Sequence, residues 1–206
     1  MAEWAGEWDL ALATVTRASD DTGELQRAFR AQPVTGLEPL RAQYVEAERL
    51  YRKLFKRLET QTDLLAADDQ KRLVLLDKLG KTNAFYLNNH PQAIADFHAL
   101  IRLYPGTDHA LLARQTVADI YHHKLGDLSA ALDEWHKLIA EFPSRPESRA
   151  AHLRIVLAYL ELKNYAQART EAAALIARAP DSPEATQARL HIANSYVIEG
   201  RLAEAV

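Results

Sequence analysis

The hydrophobic pattern of this chain repeats at a fixed period along its second half. Apolar residues recur three and four positions apart, as on one face of a helix, and each such run leads from an alanine to a proline twelve residues later. Successive alanines are 37 or 38 residues apart, in the pairs Ala93–Pro105, Ala131–Pro143 and Ala168–Pro180, and Ala205 begins a fourth run. A period of this length, with two helical segments in each unit, predicts a stack of helical hairpins.

Each run from alanine to proline is predicted to be the second helix of a hairpin. A small residue lets the neighbouring helix approach, and the residue four positions later fills the space beside it. Proline ends the helix because it cannot donate a backbone hydrogen bond. The three complete runs contain Ala93, Phe97, Leu100 and Ile101, then Ala131, Trp135, Leu138 and Ile139, then Ala168, Ala172, Leu175 and Ile176.

A tight turn is predicted five residues before each alanine. That position holds Gly126 and Gly200 in two repeats, Asn88 and Lys163 in the other two. Glycine and asparagine adopt a positive φ at low cost, as this turn demands, so lysine is the costlier residue. The residues predicted to close the preceding first helix are Ala84, Tyr121, Tyr159 and Tyr196.

The junctions between repeats carry a family resemblance. They include Leu103-Tyr104-Pro105, Glu141-Phe142-Pro143 and the helix-start signature Ser182-Pro183-Glu184. The pattern resembles tetratricopeptide repeats, which are usually about 34 residues long. Its greater length and aromatic–proline ends resemble bacterial envelope proteins, namely the outer-membrane-protein assembly lipoproteins and the Tol-Pal coordinator. The resemblance implies an all-α fold, a right-handed superhelical solenoid of hairpins, and a non-enzymatic protein-binding scaffold.

The first third of the chain is less regular. Residues 1–67 are predicted to form irregular hairpins, and residues 68–206 the repeats 68–105, 106–143, 144–180 and the incomplete 181–206. The run of Ala47, Tyr51 and Leu54 repeats the second-helix spacing, and Gly6 to Ala11 repeats the step from turn to alanine. Residues 32–39 contain two prolines and predict a connection. The long step from Ala47 to the next alanine predicts an insertion or an extra helix near residues 60–70.

One apolar seam in this region has two interpretations. Its residues are Leu40, Tyr44, Ala47, Tyr51, Leu54, Leu58 and Leu65, four and three positions apart. The spacing would suit a coiled coil, but a long helix packed inside the stack explains it better. The basic residues beside it are interpreted as a solvated surface, with an acidic partner or anionic lipid as the alternative; they are Arg49, Arg52, Lys53, Lys56 and Arg57.

Composition removes several classes of function. The 206 residues carry a net charge of −3, so the chain lacks the excess positive charge with which proteins bind nucleic acid independently of sequence. There is no cysteine, hence no disulfide, thiolate nucleophile or Cys-based zinc site. No run approaches the ~18 apolar residues that span a bilayer, and the first residues lack a signal-peptide pattern. The expected location is periplasmic or outer-membrane-associated, by the resemblance, with a cytoplasmic location as the alternative.

The histidines are the only candidates for metal chemistry. His109, His122, His123 and His136 lie close in sequence, but zinc needs three or four converging ligands. Adjacent residues on a helix diverge by about 100°, so His122 and His123 are not expected both to point inward. We therefore expect no metal site, no cofactor and no catalysis.

A partner peptide or amphipathic helix is expected on the concave face formed by the first helices. This is where tetratricopeptide arrays bind their ligands, and the expected contacts are Lys78, Thr82, Phe85, Gln115, Asp119, His122, Leu153, Leu157, Leu160, Gln187 and Asn194. Thr82, Asp119, Leu157 and Asn194 occupy one repeated position of that face. This combination lacks the Lys–Asn pattern of repeats that clamp a terminal carboxylate, so an apolar ligand is favoured.

Both ends of the sequence resemble interrupted hairpins. Gly200 to Val206 starts a second helix, and Gly6 to Ala11 resembles a second helix with no first helix before it, which leaves Trp4 and Trp8 short of a partner. We expect the natural product to extend beyond both ends, and the given chain either to have frayed ends or to self-associate through the apolar face of Leu190, Ile192 and Val197. An alternative function is a cytoplasmic regulatory module of a larger signalling or transcription-regulating protein.

Overall fold

The computed structural model describes residues 38–60 and 66–205, which form two compact units that divide after Pro105. Within these residues every regular element is helical. The predictions for Trp4, Trp8, Gly6 to Ala11 and Leu65 lie outside the described residues. The division predicted at residue 67 rests on repeat regularity and stays a prediction.

The described residues of unit 1, 38–60 and 66–105, contain three helices. They are α1 (Glu38–Glu59), α2 (Ala66–Lys81), which continues into a π-helical turn (Thr82–Tyr86), and α3 (His90–Leu103). Helix α2 packs against both α1 and α3. The predicted connection over residues 32–39 extends too far, because Glu38 and Pro39 form the first turn of α1, where proline is tolerated. No separate helix lies between α1 and α2 among the described residues.

The apolar seam of α1 is buried inside unit 1. Tyr44, Ala47, Tyr51, Leu54 and Leu58 are each at most 3% exposed. Helix α1 packs against α2 and the π turn, and the rings of Tyr44 and Tyr86 stack with centroids 4.1 Å apart. The interpretation as a long helix packed in the fold is confirmed.

Gly80 marks a close approach between α2 and α3. A Cβ atom placed there would lie 2.5–2.8 Å from three ring atoms of Phe97. Since such contacts are too short to be tolerated, only glycine lets the Phe97 ring sit against α2. The repeat pattern predicted that Ala93, four residues before Phe97, makes room for this ring, and it gave no role to Gly80.

Unit 2 contains five helices among the described residues. They are α4 (Asp108–Ile120), which continues into a π-helical turn (Tyr121–Leu125), α5 (Leu128–Glu141), α6 (Pro146–Glu161), α7 (Tyr165–Arg178) and α8 (Pro183–Ile198), followed by a 3₁₀ turn (Leu202–Glu204). Each helix packs against the next, and α6 also contacts α8. One core cluster joins α4, α5 and α6 around Trp135, and a second joins α6, α7 and α8 around Leu175.

The predicted helix boundaries and turns are confirmed. The second helices stop two residues before each proline, and Ala93, Ala131 and Ala168 are at most 1% exposed. The four turn residues all have positive φ: 52° at Asn88, 66° at Gly126, 56° at Lys163 and 73° at Gly200. Ser182 caps α8 by accepting a hydrogen bond from the Ala185 amide.

The π turn of unit 2 accommodates one extra residue. The N-cap of α4, Thr107, lies nineteen residues before Gly126, whereas the N-caps Arg145 and Ser182 lie eighteen residues before their turn residues. A π-helical turn contains one residue more than an α-helical turn. The extra residue is therefore accommodated before Gly126, and the turn at Gly126 keeps the positive φ found at the other three turn residues. The 38-residue step in the sequence is the signature of this insertion.

Candidate protein-interaction face

The predicted contact residues of unit 1 differ in accessibility. Lys78 lies on α2 and is half-buried, and Thr82 and Phe85 lie in the π turn. Thr82 is only 3% exposed, whereas Phe85 is 54% exposed. Phe85 is therefore available to a partner, and Thr82 is part of the packed turn.

The predicted contact residues at the α4 end of unit 2 are polar. Gln115 and Asp119 lie on α4, and His122 lies in its π turn. Asp119 forms an ion pair with Arg154 of α6, and His122 Nε2 lies 3.4 Å from Glu161 Oε2. Asp119 and His122 therefore connect two successive first helices, α4 and α6.

Helix α6 contributes leucines to the same face. Leu153, Leu157 and Leu160 follow one another at helical spacing. Leu153 is 9% exposed and belongs to the core around Leu175, and Leu160 is partly buried against it. Leu157 is 42% exposed. The structure therefore places Leu153 in the core, and Leu157 is the residue of α6 that a partner could cover.

Helix α8 continues the apolar character. Gln187, Leu190, Asn194 and Val197 recur at helical spacing on one face. Leu190 is 60% and Val197 51% exposed. We call Leu157, Leu190, Asn194 and Val197 the apolar strip of unit 2. The predicted groove is thus polar at α4 and apolar at α6 and α8.

The two histidines of the π turn do not both point inward, as predicted: His122 is half-buried and His123 is exposed. The rings of His122 and His123 lie together with centroids 4.1 Å apart, and the His122 ring meets Trp135 edge-on at 5.5 Å. No group of three metal-binding side chains converges anywhere in the described part of the chain.

A second repeated position carries acidic side chains and was not predicted from the repeat pattern. Three residues after each alanine lies a carboxylate: Asp96, Glu134 and Glu171. Asp96 is almost buried and accepts hydrogen bonds from Arg52, Asn83 and Gln92 at 2.9–3.0 Å. An acid at a fixed step from a core alanine is the signal that could have found this position.

In unit 2 these carboxylates meet a basic residue of the first helix. Arg114 donates to Glu134 at 2.8 Å and to Glu141 at 2.7 Å. His152 Nε2 lies 3.1 Å from Glu171 Oε2. Arg114 and His152 are each the seventh residue after their N-cap, so histidine replaces arginine at an equivalent position.

Burial sets the charge state of His152. Removal from water lowers the pKa of His152, and this outweighs the opposing effect of the Glu171 carboxylate beside it; Arg178 and His136 lower the pKa further. The imidazole is therefore held neutral to a lower pH than a histidine in water.

The described helices include none with both the length and the apolar character needed to cross a bilayer.

Comparison with protein families identifies tetratricopeptide repeats in two parts of the chain. One model of this repeat matches residues 75–107, and another matches residues 120–183 and 155–206. Together the matches cover 120 of the 206 residues. No curated protein sequence matches the chain.

Several solved structures share the fold at low sequence identity. A tetratricopeptide repeat protein from Parabacteroides merdae is 16% identical, with a TM-score of 0.57 over 95% of this chain and 62% of that one. BtubC from P. vanneervenii is 12% identical, with a TM-score of 0.56 over 95% and 86%. MamA is 19% identical, with a TM-score of 0.52 over 84% and 89%. At these identities the similarity extends to the fold alone.

Proposed function

Because the chain belongs to the tetratricopeptide-repeat family, whose members are typically non-catalytic scaffolds, we propose that it is a non-enzymatic adaptor that binds a helix of a partner protein. The partner lies on the apolar strip of unit 2. The observation that carries this proposal is the exposure of Leu157, Leu190 and Val197 on the first helices.

The chemistry of the strip favours an amphipathic helix over a charged peptide. Its only polar member is Asn194, and the polar residues at the α4 end are engaged with Arg154 and Glu161. The apolar face of a bound helix would cover these leucine side chains, and burial of apolar surface stabilises a complex by about 25 cal/mol per Å². The strip contains no lysine that could pair with the terminal carboxylate of a peptide.

The test is affinity capture from an extract of the source organism with matched leucine variants. Leu157→Ser and Leu190→Ser remove apolar surface from the strip, whereas Leu162→Ser removes an equally exposed leucine at the end of α6, outside the strip. We expect a specific partner to be retained by the parent and by Leu162→Ser and lost from the other two.

Circular dichroism separates binding from folding in this test. All three variants should keep the helical signal of the parent, because each leucine is more than 40% exposed. Equal retention of the partner by all variants, or loss of helicity together with binding, would refute the strip as the binding surface.

We propose a location in the bacterial cell envelope, periplasmic or at the outer membrane. The support is the elongated repeat with its aromatic–proline ends, at Tyr104-Pro105 and Phe142-Pro143. Fractionation of the source cells with an antibody to the protein tests this. Recovery in the cytoplasm would favour the alternative, a regulatory module of a larger protein.

Self-association through the exposed face of α8 also stays a prediction. Sedimentation velocity of the purified chain over a range of concentrations tests it, and the Leu190→Ser variant should be monomeric if this face forms the contact.

A further inference from the structure

The basic residues of α1 divide into one that holds the helix in the fold and four that face outward. Arg52 donates two hydrogen bonds to the buried Asp96 of α3, at 2.9 and 3.0 Å, and one to Glu48 at 2.6 Å. The other four are exposed, and we call them the basic face of α1; they are Arg49, Lys53, Lys56 and Arg57.

The basic face concentrates positive charge on one side of α1. Arg49, Lys53 and Arg57 follow one another at steps of four residues, which places them on the same side of a helix, and Lys56 lies beside them. No acidic residue occurs between residues 49 and 58. Arg49 pairs with Glu46 at 2.6 Å, but their side chains are 65% and 49% exposed, so this ion pair is weak.

The composition of the basic face suits an anionic lipid surface better than an acidic protein. The centre of a stable protein interface is apolar, and no large apolar side chain is exposed between Arg49 and Arg57. A membrane surface presents many phosphate groups in one plane. A cluster of lysine and arginine on one side of a helix binds such a plane through charge alone.

We propose that the basic face of α1 binds the phosphate headgroups of an anionic membrane surface. The apolar seam of the same helix is at most 3% exposed inside unit 1, so α1 has no free apolar face to insert between lipid chains. The contact is therefore electrostatic. It adds a membrane-attachment surface to the protein and does not depend on the apolar strip of unit 2.

The test is co-sedimentation of the complete 206-residue chain with lipid vesicles. Vesicles of phosphatidylglycerol and phosphatidylcholine in equal amounts should bind the chain saturably in about 50 mM NaCl, where exposed charges are weakly screened. Pure phosphatidylcholine vesicles should not bind it, because they carry no net charge. About 500 mM NaCl should release the chain from the mixed vesicles, since the contact is electrostatic.

A matched pair of double variants locates the contact. Lys56→Gln with Arg57→Gln removes two charges of the basic face and should weaken vesicle binding about 25-fold, at about fivefold per charge. The control is Lys124→Gln with Arg178→Gln, the same two changes at exposed residues of unit 2, and it should bind like the parent. Circular dichroism should show both variants as helical as the parent, because all four side chains are exposed.

Three outcomes would overturn the proposal. The first is an absence of binding to the mixed vesicles by a chain that is fully helical. The second is equal weakening by the two double variants, which would assign any binding to net charge alone. The third is an acidic protein that the parent retains without binding vesicles and that the Lys56–Arg57 variant loses, which would assign the basic face to a protein. Capture of a partner through Leu157 has no bearing on these results, so this proposal and the proposed function fail separately.

Discussion

The α4–α5 and α6–α7 hairpins, the first and second of unit 2, solve the same packing problem with different residues. In the α4–α5 hairpin, Arg114 bridges two carboxylates, Trp135 fills the core and Gly126 makes the turn. In the α6–α7 hairpin the equivalent residues are His152, Ala172 and Lys163. The first hairpin uses a permanent charge, a large ring and an unstrained turn. The comparison shows that the repeat conserves positions, whereas individual residues set how each hairpin responds to mutation and pH.

The largest difference is expected at the core ring. Trp135→Ala gives α5 the residue that α7 carries, but without the packing that surrounds Ala172, so it should leave a cavity and cost about 4 kcal/mol of unfolding free energy. Urea denaturation followed by circular dichroism measures it. An unfolding free energy of the variant within about 0.5 kcal/mol of the parent's value would show that the core does not depend on this ring.

The ion pair should come next. Arg114→Ala removes the guanidinium that pairs with the nearly buried Glu134 carboxylate, so the free energy of unfolding should fall by about 3 kcal/mol. The control is Arg154→Ala, which removes a half-exposed ion pair to Asp119 and should cost less than about 1 kcal/mol. Equal effects would mean that burial of Glu134 is unimportant.

A smaller and opposite effect is expected at the turn. Lys163 has a φ of 56°, in the left-handed region that costs a residue with a side chain about 1 kcal/mol. Lys163→Gly should therefore raise the free energy of unfolding by up to about 1 kcal/mol, and Gly126→Lys should lower it by a similar amount. Denaturation midpoints that move in the same direction for both variants would contradict this.

The smallest effect is expected in the pH response of the α6–α7 hairpin. Because burial lowers the pKa of His152 in the folded chain, its neutral form contributes stability that is present above the unfolded pKa of 6.5 and is lost as pH falls through the folded value. The difference in unfolding free energy between the parent and His152→Gln should shrink from pH 8 to pH 5. A constant difference would show that the ring does not resist protonation.

The helical boundaries were predictable because they rest on local chemistry. Pro143 stops α5, Ser182 caps α8 and Gly126 turns the chain, each through backbone geometry that the residue itself imposes. Which side chains of the candidate face are buried and which are exposed was less predictable. Leu153 and Leu157 lie four residues apart with the same side chain, yet one is core and the other exposed.

Local pattern thus established the hairpins, their period and their four left-handed turns, since helix propensity, caps and prolines act within a few residues of themselves. Packing decided the rest. Gly80 is required by a ring on another helix, Glu134 and Glu171 acquire their basic partners only across a hairpin, and His122 meets the Trp135 ring of the next helix. These features depend on distances between residues that are remote in sequence, and a linear pattern contains no such distances.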